Sequence, residues 1–325
     1  MASDALLFVT AVYDVYGPNS TAPEASRPEA LWQRLAVIAP SLTPRLHVFS
    51  DRANAPAVLP EGVTVEALPL DETLTFRALA GVTGLPPLRN GNKDTAAYLK
   101  LQCAKAELLW RASEGRGRSA TLLVWLDAGV SKVAPTEAVA LVERLVCDAA
   151  ALAASLAAPG AAKGASLIVP GCWPRHPGGL AAAHMAEAVR WRFCGGLCAV
   201  PRPLAARFAS QLLQAALDVA RATSRLTWEV NLWELLESEG ALPFDWRAAD
   251  HDGSLLRCLG APALQGSQTS GLQGAAASAS AAASAPAPAA ASAAASAAAS
   301  ASAAAAAAAP GSSRSGKAST ASSTR

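Results

Sequence analysis

Apolar and polar positions follow two rhythms over the first 260 residues. Continuous apolar runs at Ala5–Val12, Leu46–Ser50, Thr121–Leu126 and Ala165–Val169 predict strands buried on both faces. Val63–Leu68 alternates and reads as another strand, and Ala241–Arg247 as a late one. Between them apolar residues return every three or four positions. Leu31, Leu35 and Ile38 predict a helix over Pro28–Ile38, with Pro28 suited to its first turn. Tyr98, Leu101, Ala104 and Leu108 predict another over Lys93–Ala112, capped by Asp94 or Thr95 and closed by Gly115. Further helices are expected over Pro135–Leu156, Leu180–Val189, Pro203–Arg221 and Thr227–Glu237. Residues 71–92 read as irregular, and Arg192–Val200 as a strand interrupted by Gly195 and Gly196. Strands alternating with helices imply an α/β fold with a mainly parallel sheet covered by helices.

The rhythm stops near residue 260. From Gly274 to Ala309 the chain is almost entirely Ala and Ser, and Pro310–Arg325 is Ser, Gly, Thr and a few basic residues. Such a stretch has too little large apolar surface to offset chain entropy. The expected organisation is an α/β domain over 1–260 and a low-complexity, disordered tail over 261–325. Removing Gly274–Arg325 is expected to leave folding and activity unchanged. The tail also inflates the 52% hydrophobic content of the 325 residues.

Charge is nearly balanced, 27 basic against 25 acidic residues for a net +2, which offers no footprint for nucleic acid. No apolar stretch outside the alanine tail is long enough for a membrane span, and the amino terminus lacks the basic segment of a secretory signal. A cytoplasmic location is the expectation. The six cysteines stand at 103, 147, 172, 194, 198 and 258. Only Cys194 and Cys198 are close, and their spacing is not that of zinc ligands, so buried free thiols are expected.

Candidate chemistry is confined to a few short segments. Val124-Trp-Leu-Asp-Ala-Gly129 places Asp127 at the carboxyl end of the most apolar strand, where open α/β sheets bind ligands. A carboxylate there suits Mg2+ or Mn2+ bound to a diphosphate, while the plainer reading is an acid capping a turn. Gly195-Gly196 marks a bulge, a close backbone approach or tight packing. Glu229 is a first-turn helix acid and Asp250-His251-Asp252 a polar loop, both open to purely structural readings. Lys93, Lys100 and Lys105 accompany one helix, whose solvated face lysines normally form; Lys93 and Lys100, seven apart, would share a face. No dinucleotide fingerprint, P-loop or nucleophile elbow is present.

Taken in order, these segments resemble the HtrL/YibB-type family. The resemblance rests on Phe8-Val-Thr-Ala-Val-Tyr-Asp14, Lys93-Asp94-Thr-x-x-Tyr98 followed by Ala104-Lys105-x-Glu107-Leu108, Trp125-Leu-Asp127-Ala-Gly129, Phe193-Cys-Gly-Gly196, Trp228-Glu229-Val-Asn231 and Asp250-His251-Asp252. It covers about residues 6–257. It implies a Rossmann-like GT-A fold, a three-layer α/β sandwich, and transfer of a sugar from a nucleotide-sugar to an unknown acceptor. Thr10, Tyr13 and Asp14 would line the nucleotide pocket, with Lys93 and Lys100 near the phosphates. Asp127 would hold a divalent cation, Mn2+ or Mg2+, with His251 as a late metal or diphosphate contact. Gly195 and Gly196 would lie under the donor sugar or the acceptor. Glu229 would act as general base or orient the acceptor. Two departures stand out: one acid replaces the usual pair in the metal motif, and the loop Val15-Tyr16-Gly17-Pro18 lacks a basic residue, leaving Lys93, Lys100 or Arg52 to meet a diphosphate. The single acid also admits a non-catalytic protein that binds a nucleotide or a glycan, and an unrelated α/β domain would lack a cleft beside Asp127 and His251.

Overall fold

Leu6–Val12 forms β1, whose seven residues are all buried save one, as its unbroken apolar run requires. It pairs in parallel with β2, Leu46–Ser50, on one side and with β4, Leu122–Leu126, on the other. A computed structural model of the chain describes residues 2–17, 24–51, 56, 61–158, 160, 165–175 and 180–260. The expected tail and Arg52 lie outside the described residues.

The remaining strands are β3, Thr64–Ala67, β5, Leu167–Gly171, β6, Leu197–Pro201, and β7, Phe244–Ala248. They complete a seven-stranded sheet in the order β3-β2-β1-β4-β6-β5-β7. β6 runs antiparallel to both of its neighbours, and the other pairings are parallel. Two apolar layers cover the sheet. On one face Leu7, Val9, Leu123 and Trp125 meet α3 (Ala96–Glu114), α5 (Ala205–Thr223) and α6 (Glu229–Ser238). On the other, Leu6, Phe8, Leu122 and Val124 meet α1 (Pro28–Leu42) and α4 (Ala138–Leu156). Full burial of each such side chain contributes about 1.5–3 kcal/mol, so both faces stabilise the sheet heavily. The fold is therefore a three-layer, mainly parallel α/β sandwich, the class expected from the sequence. No described helix is long and apolar enough to cross a membrane.

Three departures from the sequence reading have physical causes. The irregular segment contains α2, Leu74–Ala78, capped by the Thr73 hydroxyl and by the Glu107 carboxylate, which accepts from the backbone of Leu74 and Thr75 at 2.7 and 2.8 Å. The helix expected over Leu180–Val189 is only a 3-10 turn at Ala182–Ala186. Its carbonyls serve elsewhere: Met185 and Ala188 accept from the Asn231 amide, and Glu187 accepts from Leu88 N–H. The long strand expected over Arg192–Val200 is confined to its second half, because residues 192–196 turn away and offer the Gly195 and Gly196 carbonyls to Lys105 and to Asp127 N–H.

Candidate active site

The strand order reverses direction between β1 and β4, with β2 and β3 on one side and the later strands on the other. In open α/β sheets the crevice outside the carboxyl ends of the strands at this switch is where ligands sit. A pocket opens there, walled by the loop after β1, by α1, by α3 and by the segment following Asp127.

Its floor is built around Lys105. Thr95 starts α3 by accepting from Tyr98 N–H at 3.1 Å. From that start Tyr98, Leu101, Gln102 and Lys105 follow at helical spacing and face the pocket. The Lys105 ammonium is buried and has three donors, and three acceptors surround it: Glu229 Oε1 at 2.7 Å, the Gly195 carbonyl at 2.8 Å and Asp127 Oδ1 at 3.1 Å. It also lies 5.6 Å from the Trp125 ring centre. Burial alone disfavours the charged lysine, but the Asp127 and Glu229 carboxylates outweigh it and raise its pKa. Burial would likewise raise the Asp127 carboxyl. Lys105, with the Trp125 indole N–H donating to Oδ1 at 2.7 Å, instead holds it below the usual carboxylate range.

One ammonium between two carboxylates leaves a net negative charge, and the two acids carry it differently. Glu229 is 4% exposed, whereas Asp127 is 39% exposed and opens into the pocket. Gly195 is explained by this cluster: a Cβ there would stand 2.1 Å from Glu229 Oε1, so only glycine lets the backbone reach Lys105. At Gly196 a Cβ would meet Leu255 at 3.1 Å and Asp127 Oδ2 at 3.9 Å.

Positive groups also line the pocket: Arg34 from α1, Lys93 and Lys132. The Lys93 ammonium sits 5.0 Å from the Tyr98 ring centre, and Tyr98 stacks against Tyr16 at 6.2 Å. Partial removal of water by the pocket wall lowers the pKa of Lys132, and the charge of Lys93 lowers it further.

Of the residues expected from sequence, Tyr13, Lys93, Asp127, Gly195, Gly196, Glu229 and His251 line this pocket. Three do not. Thr10 alternates with Ala11 and shares the β1 face of Phe8 and Val12, turned toward α1 and α4. Asp14 accepts from Tyr16 and Gly17 N–H at 3.0 and 3.1 Å, so it shapes the loop that carries Tyr16. Lys100 donates to the Ala80 carbonyl at 3.4 Å, away from the pocket. The shared face argued for Lys93 and Lys100 fails because α3 begins at Ala96, leaving Lys93 in the preceding turn. Tyr13 faces the pocket with its ring, while its hydroxyl is committed to the Leu68 carbonyl at 2.8 Å. Sequence reading placed Lys105 on a solvated face. The signal against that was its position four after Leu101 and three before Leu108, within the apolar stripe. Arg34 and Lys132 had no comparable signal.

His251 stands at the pocket edge against Trp191, ring centres 4.4 Å apart. Among the described residues, one group of at least three His, Cys, Asp or Glu side chains could share an ion, and it is Cys172, Cys194 and His251. Asp127 is not in it. The Cys172 thiol is pushed down to about 6 by its contact with Cys194, against the opposing effect of burial and with help from His251.

No family model matches the chain. No curated protein matches it. Among solved structures it is similar to mouse xyloside xylosyltransferase 1 in its apo form, with a TM-score of 0.36 and 13% identity over 74% of this chain and 83% of that one, a likeness too distant to transfer any residue's role.

Proposed function

We propose that this domain transfers a sugar from a nucleotide-sugar to an acceptor hydroxyl. One observation carries the reading: at the switch point of the sheet, the half-exposed Asp127 shares one pocket with Arg34, Lys93 and Lys132. Three cations in one pocket fit a diphosphate, and the Tyr16–Tyr98 pair offers aromatic surface in it. The order of the HtrL/YibB-like motifs supports the same reading.

The pocket's residues also suit the implied divalent cation. Asp127 Oδ1 is taken by Lys105 and Trp125, which leaves Oδ2 on the Gly196 side. A single carboxylate oxygen completed by phosphate oxygens and water is an arrangement that Mg2+ accepts. Asp127 would hold the ion, which when bound would neutralise the leaving diphosphate. The protein's own contribution is positioning together with preorganised positive charge where negative charge develops.

Glu229, in this reading, is a positioning residue. Its Oε1 is taken up by the Lys105 ammonium at 2.7 Å, and the same lysine, holding the Asp127 carboxyl below its usual range, weakens Asp127 as a base. A leaving phosphate with an ordinary pKa near 6 is a stronger base than a carboxylate held below its usual range. The acceptor oxygen therefore bonds to the anomeric carbon, the bond from that carbon to the phosphate oxygen breaks, and the hydroxyl proton passes to the released phosphate.

A second reading, a nucleotide- or glycan-binding domain without catalysis, is favoured by the same locking of both carboxylates by Lys105. The full chain, incubated with UDP- and GDP-sugars with and without Mn2+, separates the two. Nucleotide release that disappears in Asp127→Asn supports transfer. A thermal shift without release supports the binder, and neither response across the panel counts against both.

A further inference from the structure

The cysteine spacing argues against zinc when read along the chain, because the nearest pair, Cys194 and Cys198, has no partners close in sequence. The fold assembles a different set. Cys172 follows the end of β5, Cys194 lies in the turn before β6, and His251 lies in the loop after β7. β5 is the neighbour of both other strands, so three segments far apart in sequence deliver their side chains to one end of the sheet.

The distances suit an ion. Sγ of Cys172 and Sγ of Cys194 are 3.4 Å apart, and one donor atom from each of the three residues lies within 4.8 Å of the others. Two sulfurs bound to one tetrahedral zinc at about 2.3 Å stand about 3.8 Å apart, whereas a disulfide needs about 2.05 Å. The observed separation is nearer the edge of a tetrahedron. Asp250 Oδ1, 3.5 Å from Cys172 Sγ, stands beside the set. Backbone hydrogen bonds hold the frame: Cys194 N–H donates to the Pro170 carbonyl at 2.8 Å, and Cys172 N–H to the Trp191 carbonyl at 3.2 Å. Two thiolates and an imidazole form a soft to borderline donor set, distinct from the lone carboxylate oxygen of Asp127.

We propose that Cys172, Cys194 and His251 form a site for a thiophilic divalent cation, zinc foremost, that fastens the Trp191–His251 wall of the pocket. The ion would join the ends of β5 and β7 to the turn before β6 and fix the His251 ring against Trp191. Metal binding is measured without sugar transfer, so the two readings fail separately.

That test uses the full chain, reduced, stripped of metal with a chelator and titrated with Co2+ and Zn2+. One Co2+ per chain is expected, with a thiolate-to-cobalt charge-transfer band that Cys172→Ser weakens and Cys172→Ser with Cys194→Ser abolishes. His251 is exposed, so His251→Ala should fold and should weaken zinc binding by at least about 10–100-fold, the loss seen even when an outer partner of a ligand is removed. Cys147, exposed on α4, is the control, and Cys147→Ser should leave the band intact. Zinc should also raise the unfolding temperature of the wild type more than that of His251→Ala. Absence of the band in reduced wild-type protein, or equal zinc affinity in wild type and His251→Ala, overturns the proposal. Circular dichroism confirms that each variant is folded.

Discussion

Lys105 and Arg192 are both buried cations paired with carboxylates, yet they do different work. Arg192 meets Glu237 as a two-pronged fork at 2.8 and 2.9 Å, gives a further bond to the Trp173 carbonyl, and stacks 4.6 Å from the Trp246 ring centre. One cation faces one anion, and the pair closes the end of α6 against the loop after β5 with no charge left over. Lys105 faces two carboxylates, and the uncompensated charge falls on the acid that opens into the pocket. Burial of a charge pair is thus no sign of a site by itself. A mismatch in charge, turned toward a cleft at the switch point of the sheet, is the better sign.

The largest effects should come from removing either cation. Lys105→Met leaves the buried Glu229 without its partner and should cost about 3–5 kcal/mol in urea unfolding, and Arg192→Met, which strands the partly exposed Glu237, somewhat less. They should part in binding: folded Arg192→Met keeps its affinity for nucleotide-sugars, and Lys105→Met loses it. If both variants bind alike, the charge mismatch at Lys105 does not mark the binding site. Asp127→Asn should next lower sugar transfer by about 10²–10³-fold, the scale for losing one preorganised electrostatic group, while the melting temperature changes little. Gly195→Ala drives a methyl into Glu229 and should destabilise the domain by about 1–3 kcal/mol, measurable by the denaturation midpoint. Lys132→Ala should weaken nucleotide binding by about 1 kcal/mol or less, and by less still at high salt, whereas Lys100→Ala should leave it unchanged. Isothermal titration at two ionic strengths checks both.

The smallest expected effect is on acid stability. Folding lowers the Asp127 carboxyl below its ordinary 3.8. The stability it contributes is complete above that value and is lost as pH falls through the lower, folded value. Asp127→Asn should therefore flatten the acid limb of a stability profile. An unchanged acid limb would show that Lys105 does not hold this carboxylate charged.

Sequence by itself determined much of the frame. Unbroken short apolar runs such as Leu122–Leu126 read as strands covered on both faces, and Asp94 or Thr95 followed by a helical apolar stripe reads as a helix start, because period and capping are local properties. It also placed Asp127 at a strand end. The tertiary structure decided which charges meet. Lys105, Asp127 and Glu229 come from three elements spread over 124 residues, and no local period reports that one ammonium will serve both acids. It also turned the Arg192–Gly196 half of an expected strand into pocket wall and removed Thr10, Asp14 and Lys100 from the pocket. The same reason governs the cysteines: spacing along the chain measures neighbours in sequence, while the pairing of β5 with antiparallel β6 and parallel β7 brings Cys172, Cys194 and His251 together in space.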